Sequence, residues 1–400
     1  MSKLILSSED KSTLDAGFAA AFGGAPERYF SAPGRTEIAG NHTDHQHGCV
    51  LAAAVNLETV ADVCLNGSNI IRVQSEGYPA VEVSLDDLAV REEEKNTTAA
   101  LIRGVASCFA EKGAKLEGFD AAVSSTVLPG SGLSSSAAFE VLFGTILNEL
   151  FYDKKLSAVE IAQIGQYAEN VYFGKPCGLM DQMASSVGGL VYIDFENPAQ
   201  PKIEKINFDL AKAGYALCII DSGADHADLT DEYAAIPNEL KEVCSFFGKD
   251  VLREIPEEEF LEKLPELRKQ VSDRAILRAI HVYQENKRVK VLASALRNED
   301  LYAFFHMVRQ SGQSSWMYLQ NIYPSGAVAK QEVALALTLC ATLLQGRGAY
   351  RVHGGGFAGT VQAFVPFDLL TKFKSEIERV LGEGKCHVLN IRADGGIRVK

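Results

Sequence analysis

The residues from Pro129 to Ser136 read Pro-Gly-Ser-Gly-Leu-Ser-Ser-Ser. A strand-like run, Phe119 to Leu128, ends just before them, and a strongly helical pattern follows from Ser135 to Leu150. At such a junction glycines let backbone N–H groups approach an anion closely, and the first helical turn presents unpaired donors with a favourable dipole. The serine hydroxyls can cap the helix, donate to a phosphate or reach a metal ion. The pattern predicts a phosphate site formed by Pro129, Gly130, Ser131, Gly132, Leu133, Ser134, Ser135 and Ser136. An ordinary capped helix is the competing reading, but it offers no packing reason for so many small residues in one place. No Gly-Lys-Ser/Thr is present, so this is not a Walker loop. Its positive charge must come from Mg²⁺, the helix dipole or an arginine.

Two further segments invite chemistry. Cys177-Gly178-Leu179-Met180-Asp181-Gln182 sets one carboxylate in an otherwise apolar, small-residue stretch, where it needs a partner or a role. A helix N-cap is one such role. Phosphoryl transfer offers another, because it needs a group that orients the attacking hydroxyl or takes its proton. His353-Gly354-Gly355-Gly356-Phe357-Ala358-Gly359-Thr360 reads equally well as a turn-rich connection or as part of a site.

In this order along the chain, these segments resemble the motifs of the GHMP kinases: galactokinase, homoserine kinase, mevalonate kinase and phosphomevalonate kinase. The serine-rich loop is similar to the second family motif and the glycine cluster to the third. Ala32-Pro33-Gly34-Arg35-Thr36-Glu37-Ile38-Ala39-Gly40-Asn41-His42-Thr43-Asp44-His45 resembles the galactokinase signature, which runs close to Gly-Arg-Val-Asn-Leu-Ile-Gly-Glu-His-Thr-Asp-Tyr. The resemblance extends from about Phe22 to Gly395. It implies an α+β, two-lobed architecture with the active site between the lobes, and a sugar 1-kinase using ATP and Mg²⁺. It makes Asp181 the catalytic carboxylate, facing the anomeric hydroxyl, with Arg35 as its counter-charge. Ser136 and Glu169 would hold Mg²⁺, since hard oxygens suit that ion. His42 and Asp44 would hold ring hydroxyls, Gly178 would let the backbone approach the sugar, and Tyr233 would contact substrate. From the residues alone, Arg35 reads as readily as a surface or interlobe ion pair, Glu169 as a surface carboxylate and Tyr233 as packing.

The sequence also departs from the family. The glutamate that binds the 6-hydroxyl is Asn41 here, and the asparagine two residues after the arginine is Glu37. Replacing a carboxylate by an amide removes a strong acceptor and a repulsive charge. The expectation is therefore galactose as first substrate, with another sugar or a sugar acid such as galacturonate as the alternative. A non-catalytic regulator that binds sugar and ATP is a further alternative, opposed by Arg35, Asp181 and the undamaged serine run. Another branch of the superfamily is opposed by His42-Thr43-Asp44 and Met180-Asp181-Gln182. The sole tryptophan, Trp316, lies away from the position where galactokinases place one before the phosphate loop. Aliphatic packing is expected to hold the adenine.

The elements that must position these residues are legible in outline. Thr59–Leu65, Asn69–Gln74 and Ala80–Leu85 are strand-like and separated by turn residues, which predicts an antiparallel meander. Leu101, Ile102, Val105 and Phe109 share one helical face. Glu160 to Tyr172 reads as a helix, and Gly189–Phe195 and Tyr215–Asp221 as strands. A charged helical block from about Asp231 to Phe305 is expected to present its charges to solvent. A late helix over Val328–Leu344 precedes a strand-like Tyr350–Val352. Two lobes, 1–198 and 199–400, are expected, with the division near Glu196-Asn197-Pro198. The 400 residues contain 47% hydrophobic and 23% charged side chains, enough for a sizeable core. The net charge of −13 offers no field to attract nucleic acid. No run is long enough for a membrane span, and the apolar stretch at the start is too short for a signal peptide. Eight scattered cysteines without a C-x-x-C pair suggest free thiols in a reducing cytosol. The expected partners are a sugar and ATP, with no nucleic acid and no membrane, in a cytoplasmic monomer or weak homodimer.

Overall fold

The computed structural model describes residues 8–127, 132–224, 229–357 and 359–399. Among the described residues twelve strands form two sheets. The strands are β1 (Arg28–Ala39), β2 (Cys49–Leu65), β3 (Ile70–Ser75), β4 (Val81–Ser84), β5 (Phe119–Ser125), β6 (Leu190–Asp194), β7 (Lys202–Ile206), β8 (Tyr215–Asp221), β9 (Ala349–His353), β10 (Thr360–Pro366), β11 (Cys386–Leu389) and β12 (Ile397–Arg398). The first sheet runs β12-β1-β2-β5-β3-β4, with β6 and β7 continuing from β2. The second runs β11-β8-β10-β9. This is the α+β, two-lobed architecture expected.

The long strand β2 explains the shape of the first lobe. One edge pairs with β1. The other pairs with β6 over Cys49–Ala53 and with β5 over Thr59–Leu65. Strand β5 inserts between β2 and β3 and runs parallel to β3. The three early strands are therefore not a simple meander. Turn residues mark where the chain reverses, but not whether a later strand enters between two earlier ones.

Apolar residues on one face of this sheet, including Phe30, Val63 and Phe119, pack against Ile102, Phe109 and Phe143 of helices Thr98–Glu111 and Ser135–Phe151. The predicted face of Thr98–Glu111 is buried, as is every residue from Ala100 to Phe109. Strand residues Ile38 and Leu51 instead pack with Leu217 and Ile219 of the second sheet and with Leu292 and Phe304 of helices Asp273–Arg297 and Leu301–Ser314. The lobes share this apolar core. The chain leaves the first sheet at Ile206, enters the second at Tyr215 and returns through β12. A division at 198 would separate β7 from β6, its pairing partner.

Three other local expectations shift. Helix Ala158–Tyr167 continues directly into a π-helical turn at Ala168–Phe173, so the segment expected as a helix from Glu160 to Tyr172 is helical throughout but changes its winding. The late helix begins at Glu332, and Val328 is exposed before it. In Asp273–Arg297 the charges are not all solvated, because Arg278, His281 and Glu285 are fully buried.

Candidate active site

Strand β1 delivers the first arginine. Register shifts between Pro33 and Arg35 and between Glu37 and Ala39 bracket a short regular stretch. Arg35 and Glu37 therefore share one face of the strand. Helix Met180–Val187 begins beneath it with Asp181 in the first turn, where a carboxylate complements the helix dipole. Arg35 Nε and Nη2 donate to the two Asp181 oxygens at 2.6 and 2.7 Å, the bidentate fork that arginine favours. Arg35's side chain is 7% exposed, while that of Asp181 keeps 28% exposure, toward a cavity. Burial opposes the charge on Asp181, but Arg35, the Ser134 hydroxyl and Lys175 outweigh it and hold the carboxyl below its usual range.

The same arginine ties this pair to the phosphate loop. Pro129, Gly130 and Ser131 lie outside the described residues. The Leu133 carbonyl accepts the Arg35 backbone N–H at 3.0 Å, and the Gly132 carbonyl accepts from Arg35 Nη1. Gly132 has φ of +71°, and a Cβ there would stand 2.7 Å from Thr360 Oγ1. The second and third glycine-bearing segments thus meet at this position. Ser134 precedes helix Ser135–Phe151 with φ of +57° and makes no capping bond, which leaves its hydroxyl for Asp181. Ser135 opens the helix, and Ser136 follows.

Ser136 Oγ donates to Glu169 Oε1 at 3.0 Å. Gln182 Nε2 donates to Glu169 Oε2 at 2.8 Å and to Glu140 Oε2 at 2.9 Å, and Lys175 Nζ lies 3.4 Å from Glu169. A serine hydroxyl and a carboxylate at the start of a helix are hard oxygen donors fit for Mg²⁺ that also binds nucleotide phosphates. Burial, reinforced by the Glu169 charge, pushes the Glu140 carboxyl well above its usual range.

A cavity of about 230 Å³ opens beside Asp181, lined among others by Glu37, His42, Asp44, Lys175 and Gly178. Burial pushes the His42 imidazole down to about 3, so it is neutral. Its Nε2 faces the Gly355 carbonyl at 3.2 Å, which places the proton on Nε2 and leaves Nδ1 as an acceptor. Asp44 begins the short turn Asp44–Gln46 and accepts the His45 N–H at 2.9 Å. A Cβ on Gly178 would lie 1.8 Å from Asp44 Oδ2, so this glycine makes room for Asp44.

Tyr233 and Asn41 are both engaged by the glycine cluster. Tyr233 donates to the Gly356 carbonyl at 2.9 Å and sets its ring edge-on to Phe357. It braces the glycine wall and is not among the cavity's described lining residues. Asn41 is fully buried. Its Nδ2 donates to the Gly354 carbonyl at 2.6 Å and to Glu37 Oε1 at 3.2 Å. Its Oδ1 accepts from Asn321 at 2.8 Å and Ser315 at 3.3 Å.

Several contributors were not singled out from sequence. Arg351 Nη2 donates to Glu37 Oε1 at 2.7 Å. Even so, burial holds the Glu37 carboxyl above its usual range. His281 Nε2 meets the Asn41 carbonyl at 2.9 Å. Glu285 Oε1 accepts the Gly40 N–H at 3.1 Å. A cation inside the short apolar strand β9 was the available signal for Arg351, by the same reasoning that singled out Asp181. His281 and Glu285 looked like two more polar residues in a charged helix.

Residues 100–189 match the GHMP kinases N terminal domain, and residues 16–64 match the galactokinase galactose-binding signature. A galactokinase from Streptomyces coelicolor is 32% identical over 86% of both chains. One from Glaesserella parasuis is 31% identical over 86% of this chain and 87% of its own. The Lactococcus lactis galactokinase structure, complexed with galactose, superposes with a TM-score of 0.82 at 25% identity, covering 97% of this chain and 99% of the other. A mevalonate kinase structure superposes with a TM-score of 0.64 at 14% identity over 92% and 100% of the two chains, a likeness of fold alone. With these relatives and the motif geometry in agreement, the chain belongs to the galactokinase family of GHMP kinases.

Proposed function

We propose that this protein transfers the γ-phosphoryl group of ATP to the anomeric hydroxyl of galactose. The observation that carries this reading is the bidentate Arg35–Asp181 pair, joined through Arg35 to the Leu133 and Gly132 carbonyls and open to a sugar-sized cavity. Asp181 is held as an anion, so it can accept a hydrogen bond from the attacking hydroxyl and orient its oxygen toward phosphorus. A carboxylate with a depressed pKa is a weak base toward a free hydroxyl. The proton therefore moves to it as the new P–O bond forms and acidifies that hydroxyl, while the bond from the γ-phosphorus to the bridging oxygen breaks and ADP leaves. Arg35 places fixed positive charge where the transferring group gathers negative charge. The phosphate loop from Pro129 to Ser136 binds the nucleotide phosphates, with helix Ser135–Phe151 directed at them. Mg²⁺ held by Ser136 and Glu169 would neutralise charge on those phosphates. His42 Nδ1 and the Asp44 carboxylate accept from ring hydroxyls.

The proposal includes a cytoplasmic protein acting as a monomer or weak homodimer. The eight cysteines are all unpaired, which suits a reducing compartment. ATP consumption against a panel of hexoses, pentoses and uronic acids tests the reading. Galactose is expected to be turned over, with Asp181→Asn lowering kcat by at least about 10³-fold, in line with the loss of a charged group acting in the transition state. Binding of sugar without turnover of any panel member would favour a regulator.

A further inference from the structure

Besides Asp44 and Asp181, the cavity is lined by a third carboxylate, Glu37. It shares a face of β1 with Arg35, one strand repeat or about 7 Å away. Arg35 is committed to Asp181, so Glu37 stands along the cavity wall from that pair. Its Oε1 is engaged by Arg351 at 2.7 Å and by Asn41 at 3.2 Å. Arg351 is itself fully buried and anchored to the Ile38 carbonyl at 2.9 Å. Among the described residues, Glu37 Oε2 meets only a longer approach from the same Asn41 nitrogen, at 3.3 Å. It therefore keeps acceptor capacity.

Asn41 is in the opposite condition. Its two amide hydrogens go to Gly354 and Glu37, and its carbonyl oxygen takes hydrogen bonds from Asn321 and Ser315. All four of its bonding positions are used. The family signature carries asparagine where this chain has Glu37 and glutamate where it has Asn41. Because the two side chains touch, the exchange moves a carboxylate across one contact and does not remove it.

We infer that Glu37 Oε2 accepts the 6-hydroxyl of the sugar, that Asn41 and Arg351 are positioning residues for it, and that the cavity selects against a carboxylate at that carbon. This rests on the sugar-kinase reading and reverses the expectation of tolerance for galacturonate drawn from Asn41 alone.

Kinetics of the wild type and Glu37→Gln with galactose, 6-deoxygalactose and galacturonate test the inference. A site built to bond a hydroxyl strongly rejects the analogue lacking it, so wild-type kcat/KM is expected to fall about 30-fold or more for 6-deoxygalactose. In Glu37→Gln that penalty is expected to shrink to within about threefold, through KM for sugar, with KM for ATP unchanged. An undiminished penalty in Glu37→Gln overturns the assignment, as does a wild type indifferent to the 6-hydroxyl. Wild-type turnover of galacturonate equal to that of galactose also overturns it. If Glu37→Gln does not fold, the double exchange Glu37→Asn with Asn41→Glu replaces it. That variant is expected to recover discrimination for the 6-hydroxyl, and its indifference to that group refutes the proposal. Should the wild type bind galactose without consuming ATP, the catalytic reading fails, while calorimetric affinities for the three sugars still decide the role of Glu37.

Discussion

At the scale of single residues, the site depends on charges whose partners leave little freedom. Glu285 shows this away from the reacting atoms. Burial opposes its charge, yet Arg288, His281 and Arg351 outweigh that and hold its carboxyl at about 2. A depressed carboxylate contributes stability above its unfolded pKa, near 4.3, and loses that contribution as pH falls through the folded value. Glu285→Gln is therefore expected to destabilise the protein by on the order of 3 kcal/mol at pH 7, with the deficit narrowing as pH falls below about 4. Urea melts of both proteins between pH 3 and 7 read this directly, and a pH-independent deficit would show that packing sets it. Gly178 offers a sharper steric case. A Cβ there collides with Asp44, so Gly178→Ala is expected to raise KM for sugar by about tenfold or more through loss of one charged hydrogen bond, leaving KM for ATP near the wild-type value. Equal changes in both constants would mean that the lobe had shifted as a whole.

At the scale of elements, the decisive features are the irregular ones. The register shifts in β1 present Arg35 and Glu37 together. The π-type turn Ala168–Phe173 carries Glu169 against Ser136. Gly132 sits where the phosphate loop crosses Thr360 of β10. Gly132→Ala would combine a left-handed backbone with that contact, a strain of about 1–3 kcal/mol. Its expected signature is a KM for ATP raised several-fold, with sugar affinity measured by calorimetry unchanged. Glu169→Gln keeps the shape of the turn and removes a charge. The Mg²⁺ concentration needed for half-maximal binding of a non-hydrolysable ATP analogue is expected to rise about tenfold or more, as for loss of one anionic oxygen ligand. An unchanged requirement would exclude Glu169 from the metal site.

At the scale of the whole molecule, the lobes are joined by a core that neither sheet owns. Phe304 packs in a cluster containing Ile38 and Leu51 from the first sheet and Leu217 and Phe364 from the second. Phe304→Ala is expected to cost about 3–5 kcal/mol. Both lobes should still unfold together, so circular dichroism and the fluorescence of Trp316 should give coincident transitions. Separate transitions would show that the shared core does not couple the lobes. The cavity between the lobes inherits its shape from this arrangement.

Local physics made much of this legible in the sequence. Small residues at a strand-to-helix junction and an isolated carboxylate in an apolar run are constraints that act over a few residues. They marked the phosphate loop, Asp181 and most of the helices and strands that carry them. Resemblance then joined them into one site and supplied the family. Pairing order was not legible, because the insertion of β5 between β2 and β3 depends on contacts far apart in the chain. Nor were the buried roles of His281 and Glu285, whose types are ordinary for a charged, solvated helix. The position of Asn41 in the chain suggested that a carboxylate had been lost from the sugar pocket. Only the tertiary structure set Arg351 against Glu37 and Gly354 against Asn41, since whether a polar group is spent or free depends on partners brought from more than three hundred residues away.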